Sequence, residues 1–86
     1  MGCFWYVWAG TIAPSGIRSA YYRQAPGRFE AIQLCRGAAS TLAYTTGGTS
    51  WARVEETCTG QGITYPFSCE WTRTGRFPWS WSYAER

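Results

Sequence analysis

Residues 63–73 read ITYPFSCEWTR, and their alternation sets the fold class. Ile63, Tyr65, Phe67, Cys69 and Trp71 are apolar, while Thr64, Pro66, Ser68, Glu70 and Thr72 are polar or turn-forming. Successive side chains of a strand point to opposite faces, so this period of two predicts a strand with one buried face. Pro66 has no N–H to give to a ladder, which places it on an edge strand or at a bulge. Residues 77–83, FPWSWSY, repeat the pattern with Phe77, Trp79, Trp81 and Tyr83 on one side. Gly75, within the intervening TRTGR, supplies a turn residue, so the two runs predict a hairpin.

The preceding segments extend the same reading. TLAYTTGGTSWARVEETC (41–58) predicts a hairpin about Gly47-Gly48. Its second arm places Ala52, Val54 and Cys58 on one face and Trp51, Arg53 and Glu55 on the other. RSAYYRQAPGRFEAIQLC (18–35) predicts another hairpin, turning at Ala25-Pro26-Gly27, and TGQG (59–62) a further turn. Helical periodicity is scarce. Turn signals recur every 8–14 residues over about seven strands. The expectation is a single all-β domain over 1–86: a small antiparallel β-sandwich or barrel of six to seven short strands.

Within that frame, YYRQAPGRFEAI (21–32) resembles the second framework segment of immunoglobulin heavy-chain variable domains. There a strand turns through Ala-Pro-Gly into the next strand, so the resemblance implies a hairpin here. It covers about 12 of the 86 residues, and it departs from the family's pattern at Tyr21 and Phe67 and in the cysteine spacing.

The first ten residues, MGCFWYVWAG, lack the alternation. Phe4, Trp5, Tyr6, Val7 and Trp8 are apolar or aromatic in sequence, so a strand there must be covered on both faces. A one-core domain covers one. A partner is therefore expected on the other face. A dual-acylation reading of Gly2 and Cys3 fails because Tyr6 stands where the myristoylation pattern has Ser or Thr. No run of 18 apolar residues predicts a membrane-spanning helix, and the basic leader of a secretory signal is not visible.

Composition narrows the chemistry. The chain has eight Arg and five Glu, with no Lys, Asp, Asn or His, and a net charge of +3. Without His and Asp the usual general bases, the commonest metal ligand and any Ser-His-Asp triad are missing. Without Lys there is no Schiff-base or P-loop chemistry. Glu55-Glu56 is the one acidic cluster, and adjacent strand residues face opposite ways, so the two do not easily share a site. A glycosidase-type pair would instead join one of them to Glu30 or Glu70; surface pairing with Arg36, Arg53 or Arg73 is the favoured reading. The expectation is no enzyme, no cofactor and no metal.

Cys3, Cys35, Cys58 and Cys69 are separated by 31, 22 and 10 residues, without a C-x-x-C pair. That spacing favours structural disulfides over zinc or thioredoxin-like chemistry, and hence an extracellular or other oxidising compartment. An intracellular assembly with free thiols is the alternative. Three pairings are open; short separations favour Cys3–Cys35 with Cys58–Cys69.

Sixteen aromatics exceed what an 86-residue core encloses, and Trp, Tyr and Arg dominate interface hot spots. The expected interaction surface comprises Phe4, Trp5, Tyr6, Trp8, Trp71, Arg73, Arg76, Trp79, Trp81 and Tyr83. The function this implies is a non-enzymatic structural or interaction subunit that assembles with itself or a larger complex. The alternative is a secreted carbohydrate-binding module, lectin or toxin-like, with Trp79, Trp81 and Tyr83 as its platform beside Trp71 and Tyr65. Nucleic acid is a weaker candidate, because the Arg residues are spread along the chain.

Overall fold

The structure, a computed structural model, describes residues 2–12, 20–74 and 80–86. The elements run β1 (Cys3–Ile12), β2 (Ala20–Ala25), α1 (Arg28–Thr46), β3 (Thr49–Cys58), β4 (Gly62–Thr74) and β5 (Ser80–Glu85). The strands form one antiparallel sheet in the order β2-β1-β3-β4-β5. The chain is thus mostly β, as the alternation predicts. The helix α1 lies against one face of the sheet.

Residues 28–46 correct the sequence reading: where two hairpin arms are expected, the chain forms one helix of 19 residues. Ala31, Cys35, Ala39 and Ala43 recur every four positions, fall on one helical face and are buried. Gly27, extended and behind Pro26, precedes the first turn, and Glu30 places a carboxylate at the positive end of the helix dipole. At the other end Gly47 takes φ 68°, and its N–H donates to the Ala43 carbonyl. That left-handed geometry favours glycine as a helix stop. Thr45 and Thr46 donate their hydroxyls back to the carbonyls of Thr41 and Leu42 one turn earlier, at 2.8 and 2.6 Å. The turn at Gly47-Gly48 is therefore where the sequence places it, but it joins a helix to a strand.

Small side chains set the helix close to the sheet. Ala31, Cys35 and Ala39 meet Val7, Ala9, Ala52, Val54 and Cys69 in one buried cluster, ringed by Trp5, Tyr21, Leu34, Phe67 and Trp71. Ser50, fully buried on β3, donates its hydroxyl to the Ala39 carbonyl at 2.6 Å and links strand to helix. Each fully buried Val contributes roughly 1.5–3 kcal/mol.

On β3 the predicted faces are found: Ala52, Val54 and Cys58 are buried, and Trp51 and Arg53 are exposed. On β4 the predicted alternation breaks at Pro66. Val54 pairs with Phe67 but Glu56 pairs with Thr64, so Tyr65 and Pro66 together oppose Glu55. The bulge sits where the missing N–H would break the ladder. Its consequence is that Ile63 and Tyr65 lie on the face opposite to Phe67, Cys69 and Trp71, and they are exposed.

Two further expectations are corrected. Among the described residues the sheet has five strands in a single layer, with a helix rather than a second sheet on its covered face. The cysteine pairing is Cys3–Cys58, at S–S 2.08 Å, because the two residues are register partners on β1 and β3. Cys35 and Cys69 are both free and buried. The turn at 59–62 is present, with Gly60 and Gly62 at positive φ and the Gln61 N–H donating to the Cys58 carbonyl. The predicted turn at Gly75, together with Arg76, Phe77 and Trp79, lies outside the described residues.

Candidate functional site

One helix covers one face of a sheet. The other face, among the described residues, is covered by nothing; aromatic side chains crowd its β2-β1-β3 side, while β4 beyond the bulge and β5 present Ser68, Glu70, Thr72, Ser80, Ser82 and Ala84. On β1 the odd positions Trp5, Val7 and Ala9 face α1, so the even positions Phe4, Tyr6 and Trp8 face outward. In register with them, β2 contributes Tyr22, opposite Trp8, and β3 contributes Trp51, opposite Gly10. The Pro66 bulge adds Tyr65. Phe4, Tyr22 and Tyr65 are each about half exposed, at 50, 53 and 51%.

The rings are mutually ordered. Tyr6 stacks on Tyr22 with centroids 5.6 Å apart, and Trp8 tilts against Tyr22 at 4.2 Å. Arg53, at the centre of the face, places its guanidinium 4.4 Å from the Tyr65 ring centroid and 5.8 Å from that of Trp51. Cation–π contacts of this kind hold a charge over a ring without burying it. Glu55 is buried beneath the rings, accepting from Trp8 Nε1 at 2.9 Å and from the Thr57 hydroxyl at 2.9 Å. Desolvation raises the Tyr22 phenol above its ordinary value, and neighbouring Tyr6 and Glu55 add to it. Two carboxylates, Glu55 and Glu70, and two cations, Arg53 and Arg86, are the charges on this face among the described residues, Arg86 pairing with Ser68 just beyond β5.

The sequence-predicted residues divide between two faces. Phe4, Tyr6 and Trp8 belong to the outer face; Trp5 does not. Trp71, Trp81 and Tyr83 gather on the α1 side of β4 and β5, with Trp71 in edge contact with Trp81 at 6.5 Å and tilted against Tyr83 at 4.6 Å. Of the five rings expected to form a carbohydrate platform, Tyr65 lies on the opposite face from Trp71, Trp81 and Tyr83, and Trp79 lies outside the described residues. Trp71, Arg73 and Trp81 instead border a groove of about 340 Å³ with Ala43 and Tyr44 of α1. The Trp71 indole N–H is buried there with no acceptor among the described residues. Tyr22, Trp51 and Arg53 are not in the expected interaction surface, although the alternation of β3 already turns Trp51 and Arg53 away from the core; their outward register on strands flanking β1 brings them onto the outer face.

Beside this groove α1 is tied to β5. Arg36 Nε donates to Glu85 Oε1 at 2.6 Å, and the Tyr83 hydroxyl donates to the same oxygen at 2.6 Å. The Arg36 hydrogen bond first, then that of Tyr83, holds the Glu85 carboxyl below its usual value.

Glu55 and Glu56 point to opposite faces, as the strand reading requires. Glu56 Oε1 lies 3.2 Å from Cys58 Sγ, and Cys3, Glu56 and Cys58 bring their donor atoms within 4.8 Å of one another. With the two sulfurs joined, neither offers the thiolate that a metal would need. Among the described residues no helix is long and apolar enough to cross a membrane. Comparison with protein-family models, curated proteins and solved structures finds no match to this chain.

Proposed function

We propose that the protein is a non-enzymatic assembly subunit that pairs with a second copy of itself through the uncovered sheet face. The observation that carries this reading is β1, which is apolar on both sides and, among the described residues, has a covering element on only one. The five strands, of 10, 6, 10, 13 and 6 residues and about 4.8 Å apart, present roughly 700 Å², somewhat below the ~800 Å² each partner contributes to a standard stable interface. The low charge of the face favours a like face over nucleic acid, which calls for a basic stripe. In a two-fold arrangement the same patch meets itself, so Arg53 of one copy can meet Glu55 or Glu70 of the other. Two sheets packed face to face would then supply the sandwich that the alternation in the sequence calls for. The Cys3–Cys58 pair fits an extracellular or other oxidising compartment.

Sedimentation equilibrium over a hundredfold concentration range tests it. A monomer–dimer equilibrium that Tyr22→Arg abolishes, with the fold intact by circular dichroism, supports the reading; a strict monomer at every concentration contradicts it.

A second reading, a carbohydrate-binding module, draws on the groove at Trp71, Trp81 and Tyr44. The Trp71, Trp81 and Tyr44 rings that border it offer stacking surfaces. Tryptophan fluorescence during titration with a glycan panel tests it, and no spectral change with any glycan excludes it.

A further inference from the structure

We propose that Cys35 and Cys69 form a second disulfide, joining the middle of α1 to β4, through exchange with a low-molecular-weight disulfide such as oxidised glutathione as the helix docks. The inference rests on the core and is independent of the assembly reading. The two sulfurs are 3.9 Å apart in the helix–sheet interface, at 0% and 3% exposure. The only other cysteines, Cys3 and Cys58, already occupy each other. A disulfide bond is about 2.05 Å, so the sulfurs must close by roughly 1.9 Å. Side-chain rotation and a small approach of α1 can deliver this, because the neighbours on the helix face are Ala31 and Ala39 and those on the sheet include Ala9 and Ala52.

The surroundings also say when the bond forms. In the docked state the hydrogen bond with Cys69, followed by burial, pushes the Cys35 thiol well above its ordinary value. Both sulfurs are buried in that state, so an oxidant reaches neither. Exchange therefore belongs to the stage at which α1 is off the sheet. One cysteine thiolate attacks a sulfur of oxidised glutathione and releases one glutathione thiolate. The second cysteine thiolate then attacks the resulting mixed disulfide and releases the other. Two electrons pass from the protein to glutathione, and the two cysteine protons end on the two glutathione thiols. The links 3–58 and 35–69 interleave along the chain, tying β1 to β3 and α1 to β4.

The test is to refold the fully reduced chain in a glutathione redox buffer and map it without reduction after trypsin and chymotrypsin digestion. The expected map contains Cys3–Cys58 and Cys35–Cys69 peptides, with an intact mass about 4 Da below the four-thiol form. Free thiols at 35 and 69 beside a formed Cys3–Cys58 bridge would overturn the proposal. So would Cys3–Cys35 with Cys58–Cys69, or four free thiols. A second measurement separates bonding from packing. Relative to the native sequence, the paired variant Cys35→Ser/Cys69→Ser should lose an extra ~10 °C of Tm under oxidising conditions that it does not lose with reductant present. An equal loss in both conditions contradicts the bond.

Discussion

Trp8 and Glu55, on neighbouring strands of the uncovered face, are joined by an indole N–H to carboxylate hydrogen bond of 2.9 Å. The bond is diagonal, since Tyr6 rather than Trp8 is the register partner of Glu55. It fixes the ring that Tyr22 packs on, so a buried charge here orders an aromatic surface. Removing the acceptor strands two donors, Trp8 Nε1 and the Thr57 hydroxyl. Glu55→Ala should therefore lower the unfolding free energy by about 1–3 kcal/mol in urea titration, while Glu55→Gln should keep most of it. Equal effects of the two substitutions would show that the hydrogen bonds do not matter.

The Arg36–Glu85 contact sets a pH dependence. The Glu85 carboxyl is held below its ordinary 4.5, so its folded-state value is the depressed one. The link between α1 and β5 is complete above pH 4.5 and is lost as the pH falls through the lower folded value. Both side chains are partly exposed, so the effect is small and salt-sensitive. Protection of the β5 amides, taken relative to their intrinsic exchange rates, should fall selectively at acid pH, and Glu85→Gln should remove that dependence.

How much of this was legible in the sequence follows from side-chain size. Strands β3 and β4 declare themselves because large apolar and polar residues alternate, and the Pro66 bulge is readable from a missing donor. The helix hides because its buried face consists of Ala31, Cys35, Ala39 and Ala43, which contrast little with Gly37, Ala38 and Ser40 on its other sides. Thr45 and Thr46 before Gly47-Gly48 then imitate a hairpin arm. Of the outer face, Phe4, Tyr6 and Trp8 were readable as a strand with two apolar sides. Trp51 and Arg53 were readable as facing away from Ala52 and Val54, but that they and Tyr22 share a face with β1 was not, because it depends on which strands flank β1.

The small-residue helix face is itself testable. Ala39 is fully buried, and its carbonyl receives Ser50. Ala39→Leu should lift α1 from the sheet and cost about 1–3 kcal/mol or more. Gly47→Ala, at φ 68°, should cost about 1 kcal/mol without altering the core. Chemical denaturation of both variants checks the ordering: a tolerated Ala39→Leu would mean the helix does not lie as close as described.

Opening the Cys3–Cys58 bridge should act mainly on the unfolded chain. The linked residues are 55 apart, so Cys3→Ser/Cys58→Ser should destabilise by about 2–4 kcal/mol with little change in the native circular dichroism spectrum. A variant of unchanged stability would indicate that the bridge does not form in solution.

Association through a face of low net charge should survive salt. Raising ionic strength from 0.05 to about 0.5 M should change the dimer constant by less than threefold, whereas a charge-driven complex would weaken steeply. Sedimentation at the two salt concentrations distinguishes them.

The central claim is that the sheet face bearing Tyr22, Trp51 and Tyr65 becomes covered. Hydroxyl-radical footprinting read by mass spectrometry, on dilute and concentrated protein, measures this directly. The account predicts that these three residues become protected at high concentration while Phe29 and Tyr44, exposed on the helix, stay reactive. Unchanged reactivity of Tyr22, Trp51 and Tyr65 at concentrations where sedimentation shows a dimer would contradict it.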